Sequence, residues 1–247
     1  MVIIMLLAPN YTNITDAQKD KLLFFENYAE QFLRFLPRTI FNYPSHGVDH
    51  SLNIIVLINR FIESNWINLS EDEVFLLYIS AWVHDIGCIC TRDEHNAQSA
   101  IVLLKEPKIM SILGENLFTC LLHVVISHSS TFCIQSLPEK CQDIRLQLIC
   151  SIFRLLDACE VTKTKCPKNA YELIRNSLNE EADEFWKAHM VIEDISLKNQ
   201  QIDIHVKDII ASKIITDNLV KEIKSIESIF ESNGISKVNV NIFEERY

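Results

Sequence analysis

The sequence predicts a mainly α-helical domain followed by a small α+β segment. Three observations carry that prediction. Apolar residues recur at helical spacing over residues 16–190, only 4 glycines and 6 prolines interrupt 247 residues, and beyond position 190 the period becomes alternating. Leu22, Phe25, Ala29, Phe32, Leu33 and Leu36 fall on one face of a helix over 16–36, which Pro37 stops. A loop through Tyr43 and Pro44 leads to a second helix, 47–64, with Val48, Leu52, Ile55, Asn59 and Ile62 as its stripe. Ser70-Glu71-Asp72-Glu73 is a capping box, in which the serine and glutamate side chains each bond the other's backbone N–H. The helix it opens, 74–83, is apolar almost all round, so it belongs in the middle of the domain. Gly87 ends it, just after His84-Asp85. Further helices are expected at about 93–104, 116–128 and 142–161, with shorter ones at 169–178 and 181–190.

The second part alternates. Ile202, Ile204 and Val206 interleave with Asp203, His205 and Lys207, after an apolar run at 192–197 and a polar Lys198-Asn199-Gln200 turn, which reads as a β-hairpin. A helix over 208–231, broken at Asn233-Gly234, precedes an alternating strand at 238–242. The boundaries are thus a helical domain at 1–190 and an α+β segment at 191–247 packed on it. The opening Met1–Ala8 is apolar, lacks a basic flank and is too short to span a bilayer, so a strand or packing arm in a cytoplasmic protein without membrane contact is expected.

Composition narrows the function. The chain is 48% hydrophobic, enough for one large core, and carries a net charge of -10. That acidity disfavours nucleic acid, whose phosphates are bound by Lys and Arg. It does not disfavour a metal site, which brings its own positive charge to an anionic substrate. Eight cysteines without a repeated C-x-x-C read mainly as small buried hydrophobes in a reducing compartment. A disulfide among Cys133, Cys141, Cys150, Cys159 and Cys166 stays open. Cys88-Ile89-Cys90 is poorly spaced for a zinc thiolate site and reads as packing.

Three polar anomalies stand out against the apolar helices. The 74–83 helix ends in His84-Asp85, and a buried carboxylate needs a partner, either a metal ion or a hydrogen-bonded histidine. Asp157 lies on a helix that is mostly core, with Arg154 as its alternative partner at i,i+3. His50 lies one turn after His46. Together they offer N, N, O and O donors, a set that suits a hard or borderline divalent cation.

The ordered set His50, His84-Asp85, Asp157 resembles the H…HD…D signature of the HD superfamily of metal-dependent phosphohydrolases. His46-Gly47-Val48-Asp49-His50-Ser51, Trp82-Val83-His84-Asp85-Ile86-Gly87 and Arg154-Leu155-Leu156-Asp157-Ala158 each resemble the family's flanking sequence. Arg92-Asp93-Glu94-His95 with Ser99, and Ile126-Ser127-His128, resemble the extra histidines of a branch found in prokaryotic conflict and signalling systems. The resemblance covers residues 43–207. It implies an HD-domain helical bundle holding one or two divalent ions (Mn, Mg, Fe, Ni, Co or Zn) through His50, His84, Asp85 and Asp157, with His95 and His128 at a second ion that Asp85 bridges. It further implies metal-activated water attacking phosphorus in a nucleotide or other small phosphoester, with Asp85 and His84 at the reacting centre and Arg92 and Arg154 holding phosphate oxygens.

The arginines' alternatives are ion pairs with Asp93 and Asp157. The chain departs from the family at Cys88, where many members carry Lys, and at Ser129, where members with two metals often carry a second His. His46 is expected at a helix-start hydrogen bond or a phosphate, and His189 and His205 at the surface. His123 lies about 140° round its helix from His128. A homodimer is compatible with the sequence. The alternative functions are a catalytically idle nucleotide sensor and a metal-dependent nuclease.

Overall fold

The computed structural model describes residues 9–36 and 42–245, so the arm expected at 1–8 and the stop at Pro37 lie outside the described residues. Helix α1, Asp16–Leu33, opens on a capping box between Thr15 and Gln18. Gln18 also donates to Asp72 at 2.7 Å, tying this end of α1 to the start of α3, Glu71–Val83. The capping box of α3 is present as expected, and residues 73–83 are all buried, so α3 is the central rod of the bundle. Around it pack α1, α2 (Val48–Glu63), α6 (Glu115–Ser127) and α7 (Leu146–Ala158).

The stripe of α2 is turned from the expected one. Val48, Leu52, Asn59 and Ile62 are only partly buried, while His50, Ser51, Ile54, Ile55, Leu57, Ile58 and Phe61 face inward. Helix α2 touches α3, α7 and the hairpin, so apolar spacing along one face does not describe what surrounds it. The consequence matters for function, because the turn brings His50 inside.

Other boundaries shift for local reasons. The helix at 93–104 begins at His95 (α4, His95–Leu104), and α5, Pro107–Leu113, was not anticipated although Pro107 at its first turn marks a helix start. The 142–161 helix starts only at Leu146, because Gln142 has φ 52° and Cys141 bridges Ile144. Helix α8 ends at Ile174 (Lys168–Ile174) in a 3₁₀ turn over Arg175–Ser177, and α9 spans Glu180–Met190.

The hairpin forms as expected. Strands β1 (Ile192–Lys198) and β2 (Gln201–Val206) are antiparallel, with Lys198 opposite Gln201 across Asn199 and Gln200, both at positive φ, the hand a two-residue hairpin needs. Helix α10, Ile209–Ser232, capped by Asp208, carries the chain to β3, Asn239–Glu244, which pairs in parallel with β2. Helix α10 packs on α7 and α9, and one apolar core runs from the bundle into Ile192, Ile204 and Val238. All eight cysteines are free. No single helix among the described residues is long and apolar enough to cross a membrane.

The central rod is tied to α7 by one buried ion pair. Glu73, 1% exposed at its side chain, accepts from Arg145 Nε at 2.8 Å, Nη2 at 2.6 Å and backbone N at 3.0 Å. Burial works to raise the Glu73 carboxyl, but Arg145 and the backbone N–H groups outweigh it and hold it below the usual carboxylate range. An unfolded Glu73 therefore takes up a proton before the folded one as pH falls. The pair's contribution is present above the ordinary glutamate pKa and is lost as pH drops below it. Glu73→Ala is expected to cost about 3 kcal/mol at pH 7 by chemical denaturation, and the gap to wild type should narrow towards pH 3.

Candidate metal centre

Helix α3 ends at His84, and Asp85 follows at φ -103°, ψ 1°, the bridge conformation that turns the chain into a 3₁₀ segment over Ile86–Ile89. Gly87 lets that segment lie on α4. A Cβ there would fall 2.2 Å from His95 O and 2.3 Å from Ser99 N, both backbone atoms. Gly87 N donates to Ser99 Oγ at 2.8 Å. The glycine after the dyad and the serine four residues after His95 thus fix one contact, which sets His95 beside Asp85.

Asp85 is 2% exposed, and its two carboxylate oxygens face different imidazoles. Oδ2 lies 2.8 Å from His46 Nδ1, 3.4 Å from His84 Nε2 and 3.6 Å from His50 Nε2. Oδ1 lies 3.3 Å from His95 Nε2 and 3.7 Å from His128 Nε2. Asp157 Oδ1 joins the first group, 3.2 Å from His50 Nε2 and 3.7 Å from His84 Nε2. The side chains come from α2, the end of α3, the start of α4, the end of α6 and α7.

The outward nitrogens of four of these rings are all occupied. Nδ1 faces Glu160 Oε2 in His50 at 2.9 Å, Ser80 O in His84 at 3.2 Å, Arg92 O in His95 at 2.8 Å and Val125 O in His128 at 2.6 Å. An acceptor on that side puts the proton on Nδ1 and leaves the lone pair on Nε2; at His95 the Arg92 Nη1 donor, also 2.8 Å from Nδ1, competes for the same nitrogen. Those lone pairs then point at one another, His50 to His84 at 3.2 Å and His95 to His128 at 2.8 Å. Two lone pairs at that distance repel unless a positive charge lies between them. Two donors bound to one ion at about 2.1 Å and a right angle are about 3.0 Å apart, so the spacings suit a metal.

The charges agree. Burial opposes ionisation of Asp85, but His84 and His46 hold it well below the usual range, and Asp157 is held low in the same way, by His50 and His84. Burial first, then His84, pushes His128 down to about 3, and His95 is also lowered, chiefly by burial. The carboxylates are charged and these imidazoles neutral, the forms that bind metal. Burial and Lys165 push His50 down, yet Asp157 and Glu160 bring it up to about 9. Without an ion, a proton on its Nε2 takes the place of the cation between His84 and Asp157, the mark of a site rich in negative charge.

Two members of the site escaped the sequence reading. Glu160, 3% exposed, orients His50 and pairs with Lys165 Nζ at 2.8 Å. A carboxylate three residues after Asp157 in an apolar run was a usable signal. Lys165 was not legible, because a Thr-Lys turn reads as solvated surface. Burial opposes its charge, but Glu160 and Asp157 keep its pKa above the ordinary lysine value.

Three expectations are corrected. Arg154 is not at a phosphate and does not pair with Asp157. It is 2% exposed and donates to the carbonyls of Ser127, Ser129 and Phe132, so it braces the turn after α6 that carries His128. His189 is buried rather than superficial, with Nδ1 at 2.7 Å from Val161 O. His46 binds Asp85 directly. By contrast Arg92 does line the site, with its guanidinium 5.3 Å over the Tyr43 ring and its Nε buried without a partner among the described residues. His205 is half-exposed, stacked on Phe243. Cys88 packs beside Asp85, with Sγ 3.8 Å from Oδ1, and burial pushes its thiol far up.

Two cavities open on the centre and share Arg92 and Asp157. One of about 260 Å³ runs past Lys165 under α10. The other, about 370 Å³, is polar, with Ser129 and Ser130 in its wall.

A mainly helical bundle holding histidine–aspartate clusters able to bind metal defines an HD-type domain. The chain belongs to the HD-CE family, whose model matches residues 9–225. No curated protein matches it.

Because Glu160 fixes both the tautomer and the orientation of His50, Glu160→Ala should weaken metal binding about 10- to 100-fold. Competition with a chelating dye would measure it, and unchanged affinity would remove Glu160 from the site.

Proposed function

We propose that this chain is a metal-dependent phosphohydrolase acting on a phosphoester of a nucleotide or nucleotide-derived signal. The observation that carries the reading is the convergence of four Nδ1-anchored imidazoles on both oxygens of Asp85, with Asp157 closing the first group. His50, His84, Asp157 and Asp85 Oδ2 would hold one divalent cation. Asp85 Oδ1, His95 and His128 would hold a second. Cations bound there acidify a water and neutralise charge that builds on the phosphoryl oxygens.

The chain's own residues do the remaining work. Lys165, kept charged by Glu160 and Asp157, and Arg92, with its unused Nε donor, are the cations available to phosphate oxygens in the cavities. Glu160 and the carbonyls of Ser80, Arg92 and Val125 hold the rings still, so little reorganisation is needed when substrate binds. Two cavities share Arg92 and Asp157 in their linings, which leaves room for more than one substituent on a phosphorus held there and supports a diester as well as a monoester. Cys88 in place of the family's Lys favours an idle binder, but Lys165 brings an ammonium group to the cavity beside Asp157. The net charge of -10 keeps a nuclease the weaker reading.

The test is a panel of nucleotide mono- and diesters with Mn²⁺, read alongside metal content by mass spectrometry. Asp85→Ala should lose both ions and all turnover while keeping the helical circular dichroism spectrum. His128→Ala should lose about one ion per chain. Turnover persisting in Asp85→Ala would end the proposal.

A further inference from the structure

Cys120, on the buried face of α6, and Cys141, in the turn before α7, line one cavity of about 260 Å³ together with Gln18, Asp72 and Phe75. Their side chains meet there, the Cys120 thiol donating a hydrogen bond to the sulfur of Cys141. Burial first, then that bond, pushes the Cys120 thiol up to about 12, so it stays protonated. Cys141 is part-exposed, so a small reagent reaches it from the cavity while Cys120 is screened. The backbone of Cys141 is held by reciprocal bonds with Ile144, N to O at 2.9 Å and O to N at 3.1 Å, across Gln142 at φ 52°. The turn therefore presents Cys141 to α6 in a defined orientation.

The segment between the two cysteines carries part of the candidate centre. It contains His128 at the end of α6, then Ser129 and Ser130 of the polar cavity, then the 3₁₀ turn Ile134–Ser136. In the fold this segment is already pinned. Arg154 donates to the carbonyls of Ser127, Ser129 and Phe132, Gln147 Nε2 donates to Leu137 O at 2.6 Å, and Gln135 Nε2 donates to Ser225 O at 2.9 Å. A covalent link between its ends would change the folded state little and act mainly on the unfolded chain, whose freedom it removes.

We propose that Cys120 and Cys141 form an oxidation site, a dithiol that a peroxide converts to a disulfide closing residues 120–141 into a loop around His128. The Cys141 thiolate attacks one oxygen of hydrogen peroxide, the O–O bond breaks, hydroxide leaves, and a sulfenic acid remains. The Cys120 sulfur then attacks the Cys141 sulfur, the S–O bond breaks, and the departing hydroxide takes the Cys120 proton as water. Two thiols thus give two electrons to one peroxide and release two waters. The sulfurs close from contact to about 2.05 Å, a change that rotation about the two Cα–Cβ bonds supplies. The inference stands apart from the hydrolase reading, since neither thiol lines the cavities that open on the centre.

The experiment treats the full chain with hydrogen peroxide, blocks remaining thiols with N-ethylmaleimide, and maps a non-reducing digest by mass spectrometry. A peptide joining Cys120 to Cys141 should be the main cross-link, with Tm raised by about 5–10 °C and restored by dithiothreitol. Cys141→Ser, at a part-exposed position, should keep the reduced protein's Tm within about 2 °C and lose both the cross-link and the peroxide-induced rise. Cys133→Ser, which removes an exposed thiol, should keep both. Oxidation of Cys141 that stops at sulfinic or sulfonic acid, a main cross-link between other cysteines, or a rise that survives Cys141→Ser overturns the inference. A Cys120–Cys141 bridge that leaves Tm unchanged overturns the claim that it restrains the loop.

Discussion

Everything at the centre of this protein depends on the carboxylate of Asp85. It is buried, and its two oxygens are shared between two groups of imidazoles, so among the described residues it is the only side chain that touches every histidine of the cluster. Burying a charge this way is costly in isolation. The surrounding rings make it tolerable, and the excess negative charge of Asp85, Asp157 and Glu160 over Lys165 leaves a demand that a divalent cation meets. The chain gives up core stability at this point for a cluster able to hold a metal ion.

The rest of the bundle holds that carboxylate still. Helix α3 is surrounded by other helices and delivers His84 and Asp85 at its end with little freedom. Gly87 and Ser99 join the turn after Asp85 to α4, and the backbone-anchored guanidinium of Arg154 braces the turn that carries His128. Each ring is then fixed by a hydrogen bond on its far nitrogen. Orientation comes from this outer layer more than from the helices, since rotation about a histidine side chain would otherwise turn Nε2 away.

The C-terminal elements contribute more than ballast. Hairpin, helix and third strand share one apolar core with the bundle, which seats α10 against α7 and α9. One face of α10 thereby becomes the wall of the cavity beside Asp157. The arrangement separates two contributions in the fold: the bundle supplies the histidine–aspartate cluster, and the appended helix walls the cavity beside it.

The sequence by itself determined the helical class, the central position of α3, the hairpin with its turn, and the ordered set His50, His84-Asp85, Asp157, His95 and His128. The helices, the hairpin and the anomalies at His50, His84-Asp85 and Asp157 were legible as local patterns (apolar period, capping box, or a polar residue where the pattern demands an apolar one), whereas His95 and His128 were legible only through the family resemblance. The inward turn of α2, the role of Arg154, the burial of His189 and the entry of Glu160 and Lys165 were decided only by tertiary structure. In each case the side chain's environment is made by residues far away in sequence. A lysine in a short turn looks solvated until the fold puts a carboxylate and a cavity beside it, and an arginine near a carboxylate looks paired until nearby carbonyls take up its donors.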